Sequence, residues 1–137
     1  MYHYRSIGMN FISDKITTRI STVQLREDDI LLINIRKDES FNVRDMWELI
    51  EAARQIGNGR RFLNLIVVGA HTVPDEASRI LSTSEEGSIY KIADAFVISS
   101  LIQLMVSNVY MKFHKPSVPT KFFKNVQDAE NWLYQFK

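Results

Sequence analysis

The stretch FLNLIVVGAHTVPDEASRIL, residues 62–81, decides the fold. Its first seven residues are almost continuously apolar. Such a run reads as a strand buried on both faces, as in a sheet covered by helices on each side. Asn64 is the one polar interruption, and it needs a buried partner. Gly69-Ala70-His71 turns the chain. Thr72 and Asp75 then stand in capping-box spacing, and Pro74 suits a first helical turn. A helix is therefore expected from near residues 72–75, with Ala77, Ile80 and Leu81 on its apolar face. In α/β domains a strand that breaks into a helix start lies at the carboxyl end of the sheet, where sites tend to be built.

On the N-terminal side, residues 18–25 are rich in β-branched side chains, and residues 30–36 place Leu31, Ile33 and Ile35 on one face. The polar Arg26-Glu27-Asp28-Asp29 between them makes an antiparallel hairpin the expectation. The acidic run reads as a solvated turn, because a metal site needs further carboxylates. Residues 1–16 lack periodicity and read as a tail or an added strand ahead of a single domain over 17–137; Met9 offers a second start. Asn42 is placed to cap a helix carrying Val43, Met46, Trp47, Ile50 and Ala53 at helical spacing, with Trp47 as a core anchor. Gly57 ends that helix, and Asn58-Gly59 makes the turn into the central strand.

On the C-terminal side, residues 82–88 form a polar interlude. Residues 93–98 read as the next strand and 101–113 as the next helix, which is apolar over more than one face. That helix is buried, part of an oligomer contact, or the wall of an apolar pocket. Pro119 precedes a short edge strand at 120–123. Asn125 caps a closing helix bearing Val126, Ala129, Trp132, Leu133 and Phe136. The order β-β-α-β-α-β-α-β-α predicts an α/β domain with a mostly parallel sheet and flanking helices.

The chain has 137 residues, a net charge of +1 and no cysteine. Its length suits one core. The absence of cysteine excludes disulfides and thiolate chemistry and fits a cytoplasmic protein. His3, His71 and His114 are too far apart in sequence for a zinc-type spacing, so no metal is expected. The near-zero net charge argues against nucleic acid. Residues 93–113 are apolar enough to need a membrane check, but Asp94, Gln103, Asn108 and Lys112 interrupt them, so no transmembrane segment is expected. The N-terminus lacks the apolar region of a signal peptide.

The element order resembles the SpoIIAA-like domains of the STAS family (sulphate transporter and anti-sigma factor antagonist), and within it the bacterial STAS/SEC14-like proteins of unknown function. The resemblance covers about residues 17–137. It rests on FLNLIVV followed by a capped helix, on AFVISS leading into LIQLMVSNVYMKFHKP, and on PTKFFKNVQDAENWL. It implies a four- or five-stranded SpoIIAA-like sheet, no enzymatic activity and no cofactor. It also implies that the helix after the central strand is where anti-sigma antagonists carry a phosphorylatable Ser in an Asp-Ser-Ser-Gly-like motif. Here Asp75 matches the Asp, but Glu76 and Ala77 take the two Ser positions and Ser78 the Gly position, so the motif is broken. A phosphate there would also meet repulsion from Asp75 and Glu76.

Three groups of residues are candidates for a site. His71, Thr72, Asp75 and Ser78 form a polar or anion-binding set at the helix start. Leu101, Met105, Val109 and Phe113 form a ligand or interface face. Lys112, Lys115, Lys121 and Lys124 form a basic patch in a stretch, 95–127, that has no Asp or Glu. No G-x-S-x-G elbow, Walker loop or dinucleotide Gly motif is present. The first expectation is a non-catalytic, regulatory or protein-interaction module, acting as a homodimer. The alternative is a binder of a small amphipathic or lipid-like anionic ligand beside helix 101–113. An enzyme using His71 and Asp75 is the weakest.

Overall fold

A computed structural model describes residues 10–137. The part of the N-terminal expectation that concerns residues 1–9 lies outside the described residues. The strands are β1 (Ile16–Thr17), β2 (Ser21–Leu25), β3 (Ile30–Ile35), β4 (Ser40–Phe41), β5 (Phe62–Val68), β6 (Val73–Pro74), β7 (Lys91–Val97) and β8 (Thr120–Phe123). The helices are α1 (Val43–Gly57), α2 (Glu76–Thr83), α3 (Leu101–Phe113) and α4 (Val126–Leu133). Six strands form one sheet in the order β1-β2-β3-β5-β7-β8. The pairs β1–β2 and β2–β3 are antiparallel, and every later pair is parallel. The hairpin and the mostly parallel sheet are thus as expected, and β5 is the central strand.

Each sheet face has its own core. Leu31, Ile33, Phe62 and Ile66 lie on one face with Leu49, Ala52 and Ala53 of α1. Ile30, Leu63, Leu65, Ala93 and Ala95 lie on the other with Val126, Ala129 and Leu133 of α4. This two-sided burial explains why β5 is apolar at nearly every position. Asn64 does have its buried partner: its Nδ2 donates to Asp94 Oδ1 at 2.8 Å.

Asn42 and Asn125 cap α1 and α4 as expected, each accepting a backbone N–H three residues on. The last helical residue of α1 is Gly57, and Asn58 takes the left-handed conformation at φ 49° that Asn tolerates. Several expectations fail. The sheet has six strands rather than four or five. Ala77 and Ile80 are exposed, because the buried side of α2 runs through Ser78 and Ser82. Trp47 is 43% exposed, because the buried side of α1 runs through Leu49, Ala52 and Ala53. Thr72 does not cap α2. Val73–Pro74 instead pairs in parallel with Ser40–Phe41 as a small second sheet, so the helix starts later, with Asp75 as its N-cap accepting from Ser78 N.

Candidate ligand-binding site

The face of the sheet covered by α1, α2 and α3 is not fully packed. A cavity of about 120 Å³ lies between β3, β5 and β7 below and the three helices above. Its walls are mainly apolar: Leu31, Ile33 and Ile66 from the sheet, Leu49 and Ala53 from α1, and Val106 from α3. Met46, Ile50, Val73, Pro74 and Arg79 are half-buried and mark the side where it approaches solvent.

The polar end of the cavity is built on β5 and β7. Neighbouring strands bring Asn64 opposite Asp94 in register. Asp94 is 1% exposed and accepts from Asn64 on one oxygen and from Lys91 Nζ at 2.9 Å on the other. Lys91 also donates to Ser82 O at 3.0 Å and Ser82 Oγ at 3.2 Å, so all three of its N–H groups are engaged. Ser82 Oγ meets Tyr110 OH at 3.0 Å. Burial, with the charge of Asp94 behind it, raises the Tyr110 hydroxyl above its ordinary pKa, so it stays protonated. A buried charge persists only where it is paired and hydrogen-bonded, as this one is.

Helix α3 faces the cavity with its polar side. Gln103, Ser107 and Tyr110 are its buried residues. Gln103 Nε2 donates to Gly69 O at 2.7 Å and Thr72 O at 3.0 Å, while its Oε1 accepts from Ser99 N and Ser100 N. Leu101, Met105, Val109 and Phe113 lie on the outer side, Leu101 at 75% and Phe113 at 67% exposed. These four do share one exposed face, and the cavity meets the helix on the opposite one.

The residues of the helix start do not converge on one open site. Ser78 Oγ is buried and donates to Asp75 Oδ1 at 2.6 Å. Thr72 is buried against the β3–β4 connection, donating to Arg36 O and accepting from Glu39 N. His71 turns outward, its Nδ1 3.0 Å from Asp38 Oδ1. Lys112, Lys115, Lys121 and Lys124 are all exposed; Lys112 lies over the ring of Phe113 and Lys121 over that of Phe123. Among the described residues no group of three or more His, Cys, Asp or Glu is placed to hold a metal, and no helix is long and apolar enough to cross a membrane.

Sequence reasoning missed Arg79, Lys91, Asp94, Gln103 and Tyr110 as site residues. A signal existed for two of them. Gln103 is a polar residue in the first turn of a mainly apolar helix, three residues after Ser100 in capping-box spacing, and Asp94 is an acid directly opposite Asn64 once the strands are paired.

The fold is SpoIIAA-like. It is similar to that of an uncharacterized protein of the DUF3478 family from Shewanella loihica PV-4, described as having a SpoIIAA-like fold. The two are 16% identical, with 92% of this chain and 94% of that one covered and a TM-score of 0.51, which speaks for the fold alone. No curated protein matches the chain. The model of a family described as a domain of unknown function, DUF7793, does match residues 23–137, and the chain belongs to that family.

Proposed function

We propose that this domain works by binding rather than by catalysis, as a module that takes a small amphipathic ligand in the cavity beneath α2 and α3. The cavity carries the reading. Protein interiors pack as densely as organic crystals, so a void of this size is uncommon. The cavity opens toward solvent on the side of Met46, Ile50, Val73, Pro74 and Arg79, so its apolar walls meet water when it is empty, and an apolar occupant would remove that surface from water. The apolar walls with one polar end suit an amphipathic molecule.

The test is native mass spectrometry of the purified protein, followed by NMR titration with small amphipathic carboxylates and alcohols. A co-purified small molecule, or shifts confined to the cavity lining, is the expected result. Val106→Phe should fill the space and abolish the shifts. A wild-type protein that carries nothing and responds to none of these probes would overturn the reading.

A second reading has its own support. Leu101, Met105, Val109 and Phe113 are exposed together on α3, and an apolar patch of this kind suits a protein contact. On this reading the domain is a regulatory, cytoplasmic interaction module that pairs through α3 with a second copy. A dimer mass in the same spectrum, lost in Met105→Lys, would favour it; a monomer mass would count against it.

A further inference from the structure

We infer that the end of the ligand that enters the cavity is an uncharged hydroxyl, and that it donates to Oδ1 of Asn64 on the cavity floor. The inference rests on the binding reading above and adds to it the chemistry of the occupant's buried end.

Asn64 is placed to receive such a group. It alternates with Phe62 and Ile66 on the face of β5 that the cavity overlies, and it borders the cavity. Asp94 fixes how its amide is turned. A carboxylate only accepts, so the amide nitrogen faces Asp94 Oδ1, at 2.8 Å, and the amide oxygen is left over. That oxygen meets no donor among the described residues. Asn64 is only 5% exposed, yet its Oδ1 is not sealed off from solvent as the unpaired Nε of Arg79 is. With β3 and β7 on either side of the strand, the cavity is the route by which Oδ1 is reached. An acceptor so deeply placed is costly to leave unmet.

The rest of the floor selects a neutral partner. Lys91 and Asp94 cancel each other's charge, and Lys91 has no N–H to spare. An anion arriving there would meet the acceptor oxygen of Asn64 and the negative charge of Asp94, and would leave water without a new donor in return. An ammonium group would meet Lys91. A hydroxyl supplies the missing hydrogen and brings no charge. Its oxygen also accepts, and the same lining has a hydrogen to give. Ser82 Oγ and Tyr110 OH lie 3.0 Å apart, so one donates to the other and the second keeps its hydrogen. The apolar walls take the body of the molecule. Because the cavity opens beside Met46, Ile50 and Val73, the far end of the occupant extends outward and its length is not set by the cavity.

The test compares three probes by calorimetric and NMR titration of the whole chain: 1-hexanol, its isomer methyl pentyl ether, which accepts hydrogen bonds but donates none, and hexanoate. Hexanol should bind wild type about five- to tenfold more tightly than the ether, as expected for one buried hydrogen bond. Hexanoate should bind about tenfold or more weakly than hexanol. Hexanol should shift the side-chain amide signals of Asn64, and the ether should leave them in place. In Asn64→Leu the preference for hexanol over the ether should disappear while the ether still binds.

Equal binding of hexanol and the ether to wild type would overturn the hydroxyl assignment and leave the cavity reading standing. Tighter binding of hexanoate than of hexanol would overturn the neutral charge. A preference for hexanol that survives in Asn64→Leu would overturn the role of Asn64. No binding of any probe to wild type would overturn the cavity reading as well. Should Asn64→Leu fail to fold, the wild-type affinities and the Asn64 amide signals still decide.

Discussion

Asp45 shows how much one side chain can hold together. It is the third residue of α1, and its Oδ2 accepts from Asn42 N at 2.9 Å, closing a capping box. Arg19, from the β1–β2 connection, donates to its two oxygens at 2.7 Å each. The carboxylate is buried, and its hydrogen bonds to Arg19 hold its pKa below the usual value, with the Asn42 N–H helping. A folded pKa lowered in this way contributes stability that is complete above the unfolded value of about 3.9 and is lost as the pH falls through the folded value. Asp45→Asn should therefore cost about 1–2 kcal/mol at neutral pH. In urea unfolding, the gap between variant and wild type should narrow at about pH 3 and below. A gap independent of pH would contradict this account. At this scale the sequence is partly legible. Asn42 and Asn125 announce their helices, because capping involves neighbours along the chain. Trp47 misleads, because spacing alone leaves the apolar side of α1 uncertain by one position around the helix.

Among the elements, the turn after β5 is the most constrained. Gly69 lies against the backbone of Arg36 and Lys37, where a Cβ would fall 2.6 Å from the Arg36 carbonyl carbon. Its N–H donates to Ile35 O at 2.7 Å, extending the β3–β5 pairing, and its carbonyl receives Gln103 from α3. The neighbouring backbone cannot move aside without breaking that pairing. Gly69→Ala should cost about 1–3 kcal/mol or more, measured as a fall in the urea midpoint with an unchanged slope. A neutral outcome would show that the turn has room the structure does not display. The strand itself was readable because its burial on both faces is written into consecutive residues. The start of α2 was not. Pro74 and Thr72 look like a helix entry locally, but the pairing of Val73–Pro74 with Ser40–Phe41, over thirty residues away, takes them out of the helix. The cavity was invisible for a related reason. It is a space where side chains from three helices fail to meet, and no spacing within one helix reports that.

On the scale of the molecule, the last two helices are held quite differently. The closing helix α4 places Val126, Ala129 and Leu133 into the core. Its Glu130 also meets the fully buried Arg26 of the β2–β3 turn at 2.6 Å, joining residues far apart in the chain. Helix α3 presents Gln103, Ser107 and Tyr110 inward and its large apolar residues outward. The sequence shows that this helix is apolar nearly all round, but not which side turns in. That depends on the carbonyls of Gly69 and Thr72, which are supplied by another part of the chain. The apolar seating of α3 therefore comes mainly from Tyr110, which packs edge-on against Phe96 and Phe122, and the hydrogen bonds of Gln103 and Tyr110 supply the rest. Local opening draws on such weakly anchored segments, and amide exchange reports its free energy. In deuterium exchange followed by mass spectrometry, the amides of α3 should be labelled well before those of α4. Gln103→Ala should accelerate α3 further while leaving α4 unchanged. Equal protection of the two helices would show that α3 is fastened by more than these bonds. If the ordering holds, the slow step in filling or emptying the space beneath α3 is set by the lifetime of a few hydrogen bonds, and residence times of an occupant should track the exchange rates of that helix.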